Sequence, residues 1–171
     1  MTWLDEVWPK KSLKNGSDQR SIPEGVWAKC KKCGHILYAD TFKAHHYVCD
    51  ACGHHHRMGA MSRLQHLNQG ADYQLIGEDV QSKDYLNFHD SKSYKQRLEE
   101  AKKKSGLTES IVCAATKIDQ YEVVVAIFSF DFIGGSMGSA LGERFVQAVH
   151  YAMEKGLPFI CVTASGGARM Q

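Results

Sequence analysis

The sequence predicts an α/β protein in two parts: a small four-cysteine ribbon near the N-terminus, then a larger strand–helix–strand unit. Two observations carry this. Cys30, Cys33, Cys49 and Cys52 fall in the pattern C-x2-C-x15-C-x2-C. From residue 110 onward, strand-like apolar runs alternate with one amphipathic segment, and two of the runs lead into adjacent glycines.

The ribbon follows from the cysteine spacing. Two residues between cysteines let one tight turn aim both sulfurs at a common point, and two such turns supply the corners of a tetrahedron. Gly34 and Gly53 follow the two pairs. A glycine there accepts left-handed backbone and turns N–H groups toward the thiolates. Four protein ligands leave no open position, so the expected Zn²⁺ is structural. Val26-Trp27, Ile36-Leu37-Tyr38 and Tyr47-Val48 are strand-sized pieces around the knuckles, and the ribbon is assigned residues 23–57. Neither cysteine pair lies in a βαβ pattern, which argues against redox dithiols. His35, His45, His46, His54, His55 and His56 read as a polar surface rather than as further ligands.

Residues 1–22 are expected to be loosely ordered, with Trp3, Leu4, Val7 and Trp8 on one amphipathic turn. Asp5 and Glu6 interrupt what would be the apolar core of a secretory signal. No apolar run is long enough to span a bilayer, so membrane insertion is not expected. The expected location is the cytoplasm, or an organelle matrix if a transit peptide has been removed. Thiols stay reduced there and serve as metal ligands or core residues. Residues 1–63 hold ten Lys/Arg against six Asp/Glu, and residues 64–171 eleven against thirteen. Lys29, Lys31, Lys32, Lys43, Arg57 and Arg63 give the ribbon region a basic cast, which leaves a nucleic-acid partner open as an alternative.

Residues 58–109 are assigned to a helical connecting region. Met61, Leu64 and Leu67 recur at helical spacing, and residues 71–88 carry no clear period. Residues 91–105 read as an exposed helix, capped by Ser91 or Ser93, with Lys102, Lys103 and Lys104 at the negative end of its dipole and Gly106 as its stop. Residues 110–171 form the main unit. Ile111 to Ile118 and Tyr121 to Phe130 are strands joined by Asp119-Gln120 as a hairpin. Val123 to Phe128 is apolar on both faces, as in a buried strand. The loop FIGGSMGS follows at 132–139. A helix then carries Leu141, Phe145, Val149 and Met153 on one face and stops at Gly156 and Pro158. Phe159 to Val162 is a second buried strand that opens into ASGGARMQ at 164–171. This order implies a crossover between near-parallel strands. Cys113 and Cys161 are expected in the core.

The glycine loops carry the signal for chemistry. Gly134-Gly135 and Gly166-Gly167 each follow a strand. Adjacent glycines let backbone approach a ligand and present consecutive N–H groups, which suits a phosphate or an oxyanion formed during reaction. Neither loop matches G-x-G-x-x-G or the P-loop pattern, which argues against a dinucleotide or ATP site. No Ser-His-Asp set, metal-binding carboxylate cluster or general base stands out, and Ser165 lies outside a G-x-S-x-G elbow. Arg169 reads as a partner for a phosphate or carboxylate, with fixing of the loop as the other option.

IPEGVWAKCKKCG, CDACG, FDFIGGSMGSALGERF and ASGGARMQ, in this order, resemble the β subunit of the acetyl-CoA carboxylase carboxyltransferase of bacteria and plastids. The resemblance runs along essentially the whole chain. It implies a crotonase-like (ClpP/crotonase) fold after the ribbon, and residence in the cytoplasm or plastid stroma. It implies transfer of a carboxyl group from carboxybiotin, held on a biotin carboxyl carrier protein, to acetyl-CoA, giving malonyl-CoA for fatty acid synthesis. It also implies an α2β2 assembly with an α subunit, and ATP use by a separate biotin carboxylase. Gly166 and Gly167 match the family's oxyanion-hole position. Gly134 and Gly135, with Ser136 and Gly138, match the CoA-side loop, with Arg169 beside them. The biotin ureido nitrogen is the implied proton acceptor, in keeping with the missing side-chain base. The family continues past SGGARMQ, so the crotonase-like domain of this 171-residue chain is expected to be incomplete and inactive alone. A non-catalytic remnant is the alternative reading.

Overall fold

In the computed structural model, which describes residues 25–171, the chain divides into two units, one ending at His55 and one running from His56 to Gln171. The turn expected around Trp3, Leu4, Val7 and Trp8 lies outside the described residues.

The first unit is the ribbon. Strand β1 (Trp27–Lys29) pairs antiparallel with β2 (Ile36–Tyr38), with Trp27 opposite Tyr38. Their rings meet edge-on at 5.7 Å. A short helix follows, α1 (Ala39–Ala44), which the sequence reading missed. Asp40 near its start and Lys43 near its end complement the helix dipole and pair at 3.4 Å. His46 and Tyr47 then take left-handed backbone, φ 53° and 61°, and turn the chain back toward the second cysteine pair. The small core comprises Cys30, Leu37 and Cys49, with Phe42 and Cys52 packed on it.

The second unit is a sheet between helices. Helix α2 (Ala60–Leu67) is followed by β3 (Tyr73–Leu75), helix α3 (Tyr94–Ser105), the hairpin β4 (Ile111–Ile118) and β5 (Tyr121–Phe128), helix α4 (Ser139–Lys155) and β6 (Phe159–Val162). Strand order is β3-β4-β5-β6; the first two pairings are antiparallel and β5–β6 is parallel. Pleating explains why the β4–β5 hairpin is apolar on both faces. Ile111, Cys113, Val124, Ala126 and Phe128 point to Leu141, Ala148 and Ala152 of α4. Val112, Ala114, Val123, Val125 and Ile127 point to Ala60 and Leu64 of α2.

Four expectations change. Residues 58–109 are more than a helical connector, because β3 joins the main sheet through β4. Asn68 fixes the turn before β3: its amide donates to Ala71 O at 2.7 Å and its carbonyl accepts Gly70 N–H at 3.0 Å. Helix α3 is capped by Ser93, which accepts from Gln96 N–H, and ends at left-handed Gly106. It is not wholly exposed, since Tyr94, Leu98 and Ala101 bury Phe132. The buried stripe of α4 is Ala140, Leu141, Arg144, Ala148 and Ala152, whose alanines let the helix lie close to the sheet, while Met153 is 72% exposed. Cys113 is buried as expected, but Cys161 is exposed on edge strand β6.

Candidate functional site

The metal centre is built from two matching knuckles. In each, the first cysteine's N–H donates to the carbonyl five residues on: Cys30 to His35 at 2.8 Å, Cys49 to His54 at 2.9 Å. The following glycine, left-handed at φ 76° in Gly34 and 64° in Gly53, donates back to the carbonyl of that cysteine. The four sulfurs lie within 4.8 Å of one another, with Cys30–Cys52 and Cys33–Cys49 both at 3.8 Å. Tetrahedral Zn²⁺ with bonds of about 2.3 Å needs S···S edges of about 3.8 Å, so the cage fits zinc. The backbone hydrogen bond at His54 lowers the Cys52 pKa, but burial and the three neighbouring thiols outweigh it and push it up to about 12. Metal binding releases the proton from this thiol. Among the described residues this cluster contains no histidine.

Thiol chemistry checks the assignment. With zinc bound, one cysteine, Cys161, is expected to react faster with a thiol reagent than the other five, because it is exposed, although partial burial raises its thiol pKa. Burial pushes the Cys113 thiol up to about 12 and keeps it slow. Chelation is expected to raise the fast-reacting count to five.

The two glycine loops are joined to each other by backbone. Met137 N–H donates to Gly167 O, Arg169 N–H to Met137 O and Gly166 N–H to Gly134 O, each at 2.9 Å. Ile133, Gly134 and Gly135 form a left-handed turn with φ of 44°, 64° and 67°. A β-branched residue in that region costs roughly 1–2 kcal/mol. Packing of Phe132 and Ile133 on α3 holds it there. A Cβ on Gly135 would lie 2.1 Å from the Ala164 carbonyl oxygen, so only glycine lets the loops touch. Gly135→Ala is expected to cost about 3 kcal/mol or more of unfolding free energy. Gly142→Ala, in α4 with open space around its Cβ, is expected to add about 0.5–1 kcal/mol. Urea denaturation of both variants checks the contrast.

The sequence-predicted residues separate into two groups. Gly166 and Gly167 come together with Gly134 and Gly135, and their N–H groups are engaged, Gly166 on Gly134 O and Gly167 on Ser165 Oγ at 3.0 Å. Ser136 and Arg169 are instead committed to each other. Arg169 Nε donates to Ser136 Oγ at 3.0 Å and Nη2 to Ser136 O at 2.8 Å. The rest of the guanidinium is taken by Glu109, Ser82, Tyr94 and Ser110. The Arg169–Glu109 pair has no exposed side-chain surface. Arg169 therefore fixes the loops and has no donor left for a substrate anion, which corrects the reading of it as an anion partner. Gly138 makes room for it: a Cβ there would lie 3.0 Å from Nη1.

Burial tends to raise the Glu109 pKa, but hydrogen bonds from Arg169, Ser82 and the Ser110 N–H prevail and hold its carboxyl below the usual range. Burial works against the charge on Arg169, and the bond to Glu109 more than restores it. Sequence reasoning missed Glu109, as it missed Arg144. The latter is buried in α4 and donates to Val80 O, Glu78 O and Thr108 Oγ1. A charged residue inside the apolar stripe of α4 was the available signal for Arg144.

Residues 27–52 match the acetyl-CoA carboxylase zinc finger domain, and residues 74–171, more than half of the chain, match the carboxyl transferase domain. Among solved structures, transcarboxylase 12S, a hexameric multienzyme core with methylmalonyl-coenzyme A and methylmalonic acid bound, is similar at a TM-score of 0.54 and 23% identity. That match covers 67% of this chain and 20% of the other. A single-chain, multi-domain long-chain acyl-CoA carboxylase is similar at a TM-score of 0.50 and 14% identity, over 84% of this chain and 17% of the other. The chain thus spans about a fifth of the length of these structural relatives. At such identities the likeness shows the fold.

Proposed function

Because the chain belongs to the carboxyl transferase domain family, we propose that it is the zinc-ribbon and acyl-CoA-binding part of the β subunit of an acetyl-CoA carboxylase carboxyltransferase. The observation that carries this reading is the presence, in one chain, of the acetyl-CoA carboxylase zinc finger match and the carboxyl transferase match. The acceptor is acetyl-CoA and the product malonyl-CoA. Biotin on a carrier protein supplies the carboxyl group, and an α subunit completes the site.

The residues of this chain bind and stabilise. Loss of a proton from the acetyl methyl group puts negative charge on the thioester oxygen, which backbone N–H groups already in place can receive. Gly166 and Gly167 are the proposed oxyanion-hole positions, and in the free protein both N–H groups have acceptors, Gly134 O for Gly166 and Ser165 Oγ for Gly167. Gly167 N–H is the easier to release, because its acceptor is the Ser165 hydroxyl, which can rotate away. The substrate oxygen then replaces Ser165 Oγ as acceptor. Gly134 and Gly135 form the wall on the CoA side, and the buried Arg169–Glu109 pair holds both loops at fixed spacing. Losing one oxyanion donor costs on the order of a hundredfold in rate.

These 171 residues, which span about a fifth of the length of the structural relatives, are proposed to be inactive without the rest of the subunit and its α partner. Two assays test the reading. The complete subunit carrying these residues, mixed with its α partner, should carboxylate acetyl-CoA with a higher kcat/KM than propionyl-CoA. The 171-residue chain with the same partner should form no malonyl-CoA. A preference for propionyl-CoA, or product from the short chain, counts against the proposal.

A further inference from the structure

A small pocket of about 180 Å³ opens at the C-terminal ends of the parallel strands β5 and β6, beside the glycine loops. Phe128 and Val162 end the two strands and line its floor, and Ala164, whose carbonyl touches Gly135, forms one wall. In parallel α/β sheets ligands sit beyond these strand ends. Arg57 and Arg63 also line the pocket. The Arg57 guanidinium lies 3.8 Å from the centre of the Phe130 ring, which fixes its plane. Asp131 also lines the pocket. Among the described residues, however, neither arginine forms an ion pair with it or with any other carboxylate. The other buried or clustered arginines of this unit, Arg144 and Arg169, have their donors filled by the protein. Among the described residues, Arg57 and Arg63 thus line the pocket beside the loops without an ion pair to a protein carboxylate.

We propose that Arg57 and Arg63 bind the carboxylate of a carboxylated acyl-CoA, the group that the reaction transfers. The assignment rests on the acyl-CoA reading above. A planar guanidinium with its edge open matches a carboxylate through paired N–H···O bonds. The pocket adjoins Ala164, two residues before Gly166, and so lies near the reacting end of the ester. The nucleotide phosphates of CoA sit a whole pantetheine arm away from that end, which favours the carboxylate over a phosphate.

Calorimetric titration of the 171-residue chain tests this with malonyl-CoA, acetyl-CoA, dephospho-CoA, CoA and free malonate. Malonyl-CoA should bind about tenfold or more tightly than acetyl-CoA, the range of a charged hydrogen-bonded contact. In the double variant Arg57→Gln/Arg63→Gln that preference should fall to about one, with acetyl-CoA affinity and the melting temperature unchanged. A preference that survives the double substitution, or wild-type protein that binds both esters equally, overturns the assignment. Loss of discrimination between CoA and dephospho-CoA in the variant instead assigns the pocket to a phosphate and also overturns it. Malonate separates the pocket from the reading on which it rests. Salt-sensitive malonate binding that the variant lacks, with neither ester bound, keeps the carboxylate site and counts against the acyl-CoA reading. Absence of both malonate binding and ester discrimination removes the site.

Discussion

Chelating zinc from this protein is expected to unfold the ribbon while the β3–β6 sheet stays folded. Among the described residues the ribbon has almost no core apart from its ligands: Leu37 and Phe42 are the apolar side chains that pack with the cysteines. Two three-residue strands and a six-residue helix cannot hold such a unit together. Binding of structural Zn²⁺ contributes on the order of 10–16 kcal/mol at neutral pH, and in small ribbons that free energy is the folding free energy. Cys49→Ser should reproduce the effect, because Cys49 is buried and its sulfur is one corner of the cage. Amide NMR spectra of loaded and chelated protein check this. Signals from residues 27–52 should collapse toward random-coil shifts, and those of Ile111 to Phe128, buried between two helices, should hold their positions.

Glu109→Ala is expected to lower stability by about 3–5 kcal/mol, because it strands the Arg169 guanidinium in a dry site. The cost comes from the unpaired charge more than from the lost attraction. Glu109→Leu combined with Arg169→Met should therefore be less damaging than Glu109→Ala alone, although it also empties the bonds to Ser136. Urea unfolding of the two variants decides between these accounts. The pair also sets a pH dependence. The Glu109 carboxyl is held below its ordinary value of 4.5 in the folded protein. Its contribution is then fully present above about pH 4.5 and is lost as the pH falls toward the folded value. An Arg169-linked loss at alkaline pH is not expected below pH 12, since Arg169 is shifted upward.

The parts legible in the sequence were those set by local spacing. The cysteine pattern fixed the cage because ligand geometry tolerates few alternatives, and the structure brings Cys30, Cys33, Cys49 and Cys52 to tetrahedral spacing. The β4–β5 hairpin was legible because eight-residue apolar runs flank a two-residue link at Asp119. Strand β3 was not, since three residues acquire strand geometry only by pairing with β4. The buried face of α4 was misplaced because Arg144 belongs to it, and a hydrophobic pattern passes over an arginine whose charge is satisfied by carbonyls. The role of Arg169 was misjudged for the same reason. Its partner Glu109 lies 60 residues earlier in the chain, where no spacing rule connects them. The glycines were legible as close-approach positions. Which N–H groups they would spend on each other was not, because that depends on the meeting of two loops across the β5–β6 crossover.

The most direct test of carboxyl transfer at the paired glycine loops follows the label. In the complete subunit carrying these residues, assembled with its α partner and loaded with zinc, malonyl-CoA labelled in its free carboxyl group is incubated with the biotin carrier protein. The label is expected on the carrier, with acetyl-CoA released in equal amount. Label that stays on the CoA ester, in an assembly shown to be folded and zinc-loaded, would contradict the assignment.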